Sequence, residues 1–232
     1  MTCPSQPPSQ QNSQTASSHT PRVYTVTTAN VSGGKLWFFD HHLSQSTLNG
    51  RNGSNACTFI TIILAKAIIT NSSTLAFPSQ SLSPVWAVIM PTNCISKGND
   101  IHHNVTGGRP TNFSVSDAVS HLSSIGNITA EDSFDVDFTC QNTAVPQSSL
   151  AFYLQRLVAE PQLAAVVIIN DLSICFLGRV NELLLLDSHL HGPYGALIGK
   201  TTLADVERYL VTCKQWLSPN TTLCSITFIN FR

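Results

Sequence analysis

Residues 163 to 202 constrain the fold most tightly. Four short apolar strand candidates follow one another there: Ala164–Ile169, Ser173–Arg179, Glu182–Asp187 and Gly195–Ile198. The gaps carry Asn170-Asp171, Asn181 and Gly192-Pro193, residues that favour tight turns. This spacing predicts an antiparallel meander. Ser148–Ala159 has helical spacing and stops before Pro161, Thr202–Thr212 reads as a helix, and Leu223–Phe231 reads as a last strand.

Upstream, strands are expected at Tyr24–Thr28 and Lys35–Phe39, followed by a polar loop, His41 to Asn55. Ala56–Ile69 is apolar almost all round, and its Thr and Ile content would suit a strand. Its length favours a buried helix, with Ser54 or Asn55 as N-cap. In the middle third, Val85–Met90 and Phe134–Thr139 read as strands and Ser116–Ile125 as a short helix. The expected class is α+β.

Only 11% of the residues are charged against 42% hydrophobic, and the net charge is −1. No basic field exists to hold nucleic acid or an anionic membrane. Residues 1–21, dominated by Ser, Gln, Pro and Thr, are expected to be disordered, leaving 22–232 as one domain. That polar start lacks the apolar run of a secretory signal, and Phe59–Ile69 is too short to span a bilayer. Seven sequons, at Asn30, Asn52, Asn71, Asn104, Asn112, Asn127 and Asn220, pull the other way. The chain is read as intracellular and cytoplasmic.

Seven cysteines are scattered singly with no CxxC pair, which leaves zinc-finger and thioredoxin readings without an anchor. Cys175, Cys213 and Cys224 lie in apolar stretches where a buried, inert thiol is expected. Cys57 differs. A Gly53-Ser54-Asn55-Ala56 approach delivers it to the start of the buried helix, where free N–H groups and the helix dipole favour a thiolate.

A partner stands in LLLLDSHLHGPYG. Asp187 and His189, two apart at a strand end, project to one face, so the carboxylate can hold the imidazole for a thiol. His191 shares that face but lies nearer the turn, making it the second choice as base. A helix-start Cys followed over a hundred residues later by an acid-oriented His on a sheet is the papain-like arrangement. An oxyanion hole needs a second donor beside the Cys57 N–H, for which Gln45 is the candidate, with Asn55 or Asn52 as alternatives. The pairs His41-His42 and His102-His103 are read as loop histidines, and no metal or cofactor is expected.

The strings Gln45-Ser46…Gly53-Ser54-Asn55-Ala56-Cys57-Thr58-Phe59-Ile60 and Leu186-Asp187-Ser188-His189 resemble the deubiquitinase domain of herpesviral large tegument proteins. They are closer still to its non-viral relatives, the viral tegument-like deubiquitinases. The resemblance spans residues 30–232 but carries no residue of Ser72–Ser149. It implies a papain-like fold with Cys57 as nucleophile, His189 as base, Asp187 as orienting acid and Gln45 as oxyanion donor. It also implies ubiquitin or polyubiquitin as partner, cleaved after its terminal glycine through a Cys57 thioester. Ubiquitin ends in Leu-Arg-Leu-Arg-Gly-Gly, and the acidic stretch around Asp135 and Asp137 is the candidate for pairing with its arginines. Two alternatives stay open: a protease for a ubiquitin-like modifier or polyprotein junction, and a non-enzymatic secreted interaction domain.

Overall fold

The structure, a computed structural model, describes residues 26–71, 94–139, 145–217, 220 and 222–232. The polar segment 1–21, the strand expected at Val85–Met90, Cys3 and Cys140 lie outside the described residues. In chain order the elements are β1 (Val26–Val31), β2 (Gly34–Asp40), α1 (Cys57–Thr70), α2 (Lys97–Thr106) and α3 (Val115–Ser120). Next come β3 (Ile128–Ala130), β4 (Phe134–Asp137), α4 (Leu150–Leu154), α5 (Arg156–Ala159), β5 (Leu163–Ile169) and β6 (Leu172–Arg179). The chain closes with β7 (Glu182–Asp187), β8 (Tyr194–Thr202), α6 (Val206–Leu217) and β9 (Leu223–Phe231).

The strands form one antiparallel sheet in the order β1-β2-β8-β7-β6-β5-β9-β3, with β4 also pairing β9. The meander expected from the sequence is β5-β6-β7-β8. Its runs are continuous rather than alternating because helices cover both faces of the sheet. In β5, Ala164 and Val166 enter a core with α1, while Leu163, Ala165, Val167 and Ile169 enter a second core with α4, α5 and α6. In β2, Trp37 and Phe39 face the first core and Leu36 and Phe38 the second.

Ten of the fourteen residues of α1 are buried. The threonines that made this segment look strand-like are polar anchors. Thr61 Oγ1 donates to the Ser173 carbonyl at 3.0 Å, and Thr58 Oγ1 donates to the Phe113 carbonyl at 3.0 Å. Both bonds satisfy hydroxyls that burial would otherwise leave unpaired. The expected cap is corrected: Ala56 occupies the N-cap position, with no side-chain cap, and Ser54 Oγ instead accepts the Ala56 N–H at 3.1 Å. The first-turn N–H groups beside Cys57 therefore have no side chain closing them off.

Several boundaries differ. Within the described residues the first strand runs on to Val31, three residues past its expected end at Thr28, and the last helix begins at Val206 rather than Thr202. The helix expected over Ser148–Ala159 is two short helices parted at Gln155. That expected at Ser116–Ile125 ends at Ser120, with a 3₁₀ turn at Ser123–Ile125. His102 and His103 lie on α2, not in a loop, and His102 is buried with Nε2 2.8 Å from the Thr111 carbonyl. A Cβ at Gly98 would sit 2.4 Å from Ile60 Cγ1, so only glycine there lets α2 close on α1.

Candidate active site

Cys57 opens α1, 6% exposed, with the β5–β6 hairpin tip against it: its Sγ lies 3.8 Å from the Asp171 carbonyl. That tip is a two-residue turn, Asn170-Asp171, in which both residues have positive φ, as a tight hairpin matched to strand twist requires. The thiol faces a cleft of about 210 Å³ walled by Ile168, Asp171 and Ser173 from the sheet and by Asn112, Phe113 and Ser114 opposite.

Asp187 ends β7, fully buried, and its carboxylate engages two histidines. His189 Nδ1 is 2.6 Å from Oδ1, and the His189 backbone N–H donates to the same oxygen at 2.8 Å. A carboxylate only accepts, so Nδ1 carries the proton and Nε2, which has no hydrogen-bond partner of ordinary geometry, is free to face the thiol. His191 Nε2 stands 3.2 Å from Oδ2, within ion-pair distance but off the line of its ring N–H. Turn-side His191 thus stands against the second carboxylate oxygen of Asp187, while His189 is the histidine that acts on Cys57.

Electrostatics follow from this geometry. Burial works to raise the Cys57 thiol, but hydrogen bonding and charge attraction from His189, joined by the Ser173 amide and hydroxyl, outweigh it and bring the thiol down to about 7. Burial works to lower His189, yet Asp187 and Cys57 hold it well above the ordinary imidazole range. Asp187 stays well below the usual carboxylate range, since both histidines overcome its burial. The other described cysteines are pushed the opposite way by burial: Cys94, Cys213 and Cys224 rise to about 12, and Cys175 rises as well. Cys57 alone among them can be a thiolate near neutral pH.

Gln45 is 2% exposed and links the two motifs. Its Oε1 accepts from Ser188 Oγ at 2.8 Å, beside His189, and its Nε2 donates to the Ser54 carbonyl at 3.1 Å, three residues before Cys57. One Nε2 hydrogen remains. Asn55 Nδ2 donates to Asn112 Oδ1 at 2.7 Å, and Asn52 is exposed. Sequence reasoning missed Asn99 of α2, whose Nδ2 donates to the Gln45 carbonyl at 3.1 Å while its Oδ1 accepts from Ser54 Oγ at 2.6 Å. Ser173 was missed too; its hydroxyl lies 2.9 Å from Thr58 Oγ1, at the floor of the cleft.

Asp135 and Asp137 are not in the cleft. They lie on β4 at its far side, on the sheet face that carries α1, because Asp135 pairs with Ser225 and Ser225 with Ile168. Among the described residues no group of three or more His, Cys, Asp or Glu is placed to hold a metal ion, and no helix is long and apolar enough to cross a membrane.

No protein-family model and no curated protein matches this chain. Among solved structures, the ubiquitin-specific protease encoded by a murine cytomegalovirus tegument protein shares its fold. That enzyme was solved in complex with a ubiquitin-based suicide substrate. The TM-score is 0.54 at 10% sequence identity, over 83% of this chain and 85% of that one. The class so defined is a mixed α and antiparallel-β fold, one that this viral protease also has.

Proposed function

We propose that the chain is a cysteine deubiquitinase of papain-like fold, with residues 22–232 as its catalytic domain. The observation that carries this reading is the Cys57 thiol, lowered to about 7 by His189, whose other ring nitrogen Asp187 holds at 2.6 Å. A buried cysteine without such a partner rises instead, as the other described cysteines do.

The chemistry proceeds in two halves. Thiolate Cys57 attacks the carbonyl carbon of the terminal glycine, and the C=O electron pair becomes an oxyanion. The Cys57 N–H and the remaining Gln45 Nε2 hydrogen stabilise that oxyanion. As the intermediate collapses, the C–N bond breaks, imidazolium His189 gives its Nε2 proton to the departing amine, and a thioester remains. Neutral His189 then takes a proton from water, whose oxygen attacks the thioester. The acid product leaves, and the thiolate and imidazolium are restored. Asp187 keeps its charge throughout and fixes the imidazole tautomer.

Ubiquitin is favoured as substrate by the fold likeness to a ubiquitin-specific protease and by a cleft that has an acidic strand beyond it. The test compares a fluorogenic ubiquitin with the same reporter on Arg-Leu-Arg-Gly-Gly. A deubiquitinase cuts the folded protein orders of magnitude faster, since remote binding energy is used in the transition state. Equal rates on both would make it a general protease.

A further inference from the structure

Ser173, Ile168, Ser225 and Asp135 form one row across β6, β5, β9 and β4, each directly opposite the next. Directly opposed residues share a face, and Ser173 on this row touches α1. The cleft at Cys57 reaches half-buried Ile168 on this row, and Ser225 and Asp135 come next beyond it. Three strand spacings of about 4.8 Å put Asp135 roughly 14 Å from Ser173.

Asp171 stands at the near end of the same path. It is exposed, lines the cleft together with Cys57, and makes no ion pair among the described residues. An extended peptide advances about 3.3 Å per residue, so the fifth residue back from a glycine at Cys57 falls about 13 Å away, near Asp135. The third residue falls about half as far, at the mouth of the cleft where Asp171 stands. Alternate side chains of an extended peptide point to opposite walls. Arginines at the third and fifth positions then share the sheet wall with the two carboxylates, and the leucine between them faces the wall carrying Phe113.

We infer that Asp171 is a specificity-determining residue that pairs with the arginine third from the end of the ubiquitin tail, leaving the fifth-position arginine to Asp135. The inference rests on the deubiquitinase reading and assigns the acyl side of its cleft. It also gives a role to an acid at a turn position that glycine would fill with less strain.

The test measures kcat/KM on fluorogenic ubiquitin and on ubiquitin with its third-from-last residue changed from Arg to Ala. Enzymes are the wild type and Asp171→Asn, since asparagine tolerates the left-handed turn. Wild-type enzyme should prefer unaltered ubiquitin by roughly tenfold, the worth of a charge-assisted hydrogen bond that is partly solvated. Asp171→Asn should lose that preference while still discriminating against ubiquitin with Ala for its fifth-from-last Arg. The ratio of two substrates does not depend on how much variant enzyme has folded. Undiminished preference in Asp171→Asn overturns the assignment. Failure of the wild type to cut any ubiquitin substrate instead removes the deubiquitinase reading beneath it.

Discussion

Nδ1 of His189 lies 2.6 Å from Oδ1 of Asp187, and the His189 backbone N–H holds the same oxygen at 2.8 Å. Two residues of one strand end thus fix a single ring orientation, with Nε2 left toward α1. The pairing is local in sequence, while its consequence, a lowered thiol at Cys57, spans more than a hundred residues.

Alkylation of Cys57 by iodoacetamide should show an inflection near pH 7, falling about tenfold per unit below it as the thiolate fraction falls. His189→Ala removes the main lowering influence and leaves burial, which raises the thiol. Its inflection should move above 9. An unshifted profile in His189→Ala would mean that the histidine does not act on the thiol. Peptide mapping after limited alkylation should find Cys57 modified before Cys94, which burial holds near 12.

The two histidines should separate by degree. His189→Ala is expected to lose nearly all turnover. His191→Ala should lose about 10- to 100-fold, the worth of a contact to a buried charge, and His191→Gln, which can still offer an N–H to Asp187 Oδ2, should recover most of it. Asp187→Ala should fall between His189→Ala and His191→Ala. Steady-state kinetics decides; equal, mild losses at both histidines would reduce Asp187-x-His189 to a structural motif.

Gln45→Ala removes the proposed oxyanion donor, so kcat should fall roughly 100- to 1000-fold. Asn99→Ala touches no reacting atom but releases the Gln45 carbonyl and Ser54 Oγ, so kcat should drop by a smaller factor with KM little changed. Near-normal kcat in Gln45→Ala would leave the oxyanion to the Cys57 N–H and another donor.

Changing Asp135 and Asp137 together to Asn should weaken ubiquitin cleavage mainly through KM, because the pair lies some three strands from the reacting atoms. Cleavage of the Arg-Leu-Arg-Gly-Gly reporter should weaken in step. Unchanged KM on both substrates would make these carboxylates a solvated edge of the sheet.

What the sequence revealed follows from how far apart the interacting residues are. The meander was legible because each of its strands pairs with the next, and Asp187-x-His189 because the two residues stand two apart in sequence, Asp187 ending β7 and His189 just past it. β3 escaped notice: three residues long, it gains its place only by pairing with β9, a hundred residues on. Helix α2 carries no apolar stripe. Its buried residues are Gly98, Asn99, His102 and Thr106, since its inner face serves Gln45, Ser54 and the Thr111 carbonyl, with Ile101 as its apolar contact to the α1 core. No periodicity could have found it. Ser173 and Asp171 looked like ordinary residues beside a hairpin turn, and only the docking of α1 on β6 brings them to Cys57.

We propose that Cys57 is a nucleophile presented to the end of ubiquitin. Incubation with ubiquitin whose terminal glycine is replaced by a thiol-reactive electrophile, followed by intact-mass and peptide-mapping mass spectrometry, tests it most directly. A single stoichiometric adduct should form on Cys57, abolished in Cys57→Ala and sharply slowed in His189→Ala. No adduct with folded wild-type protein, or an adduct mapped to another cysteine, would contradict it.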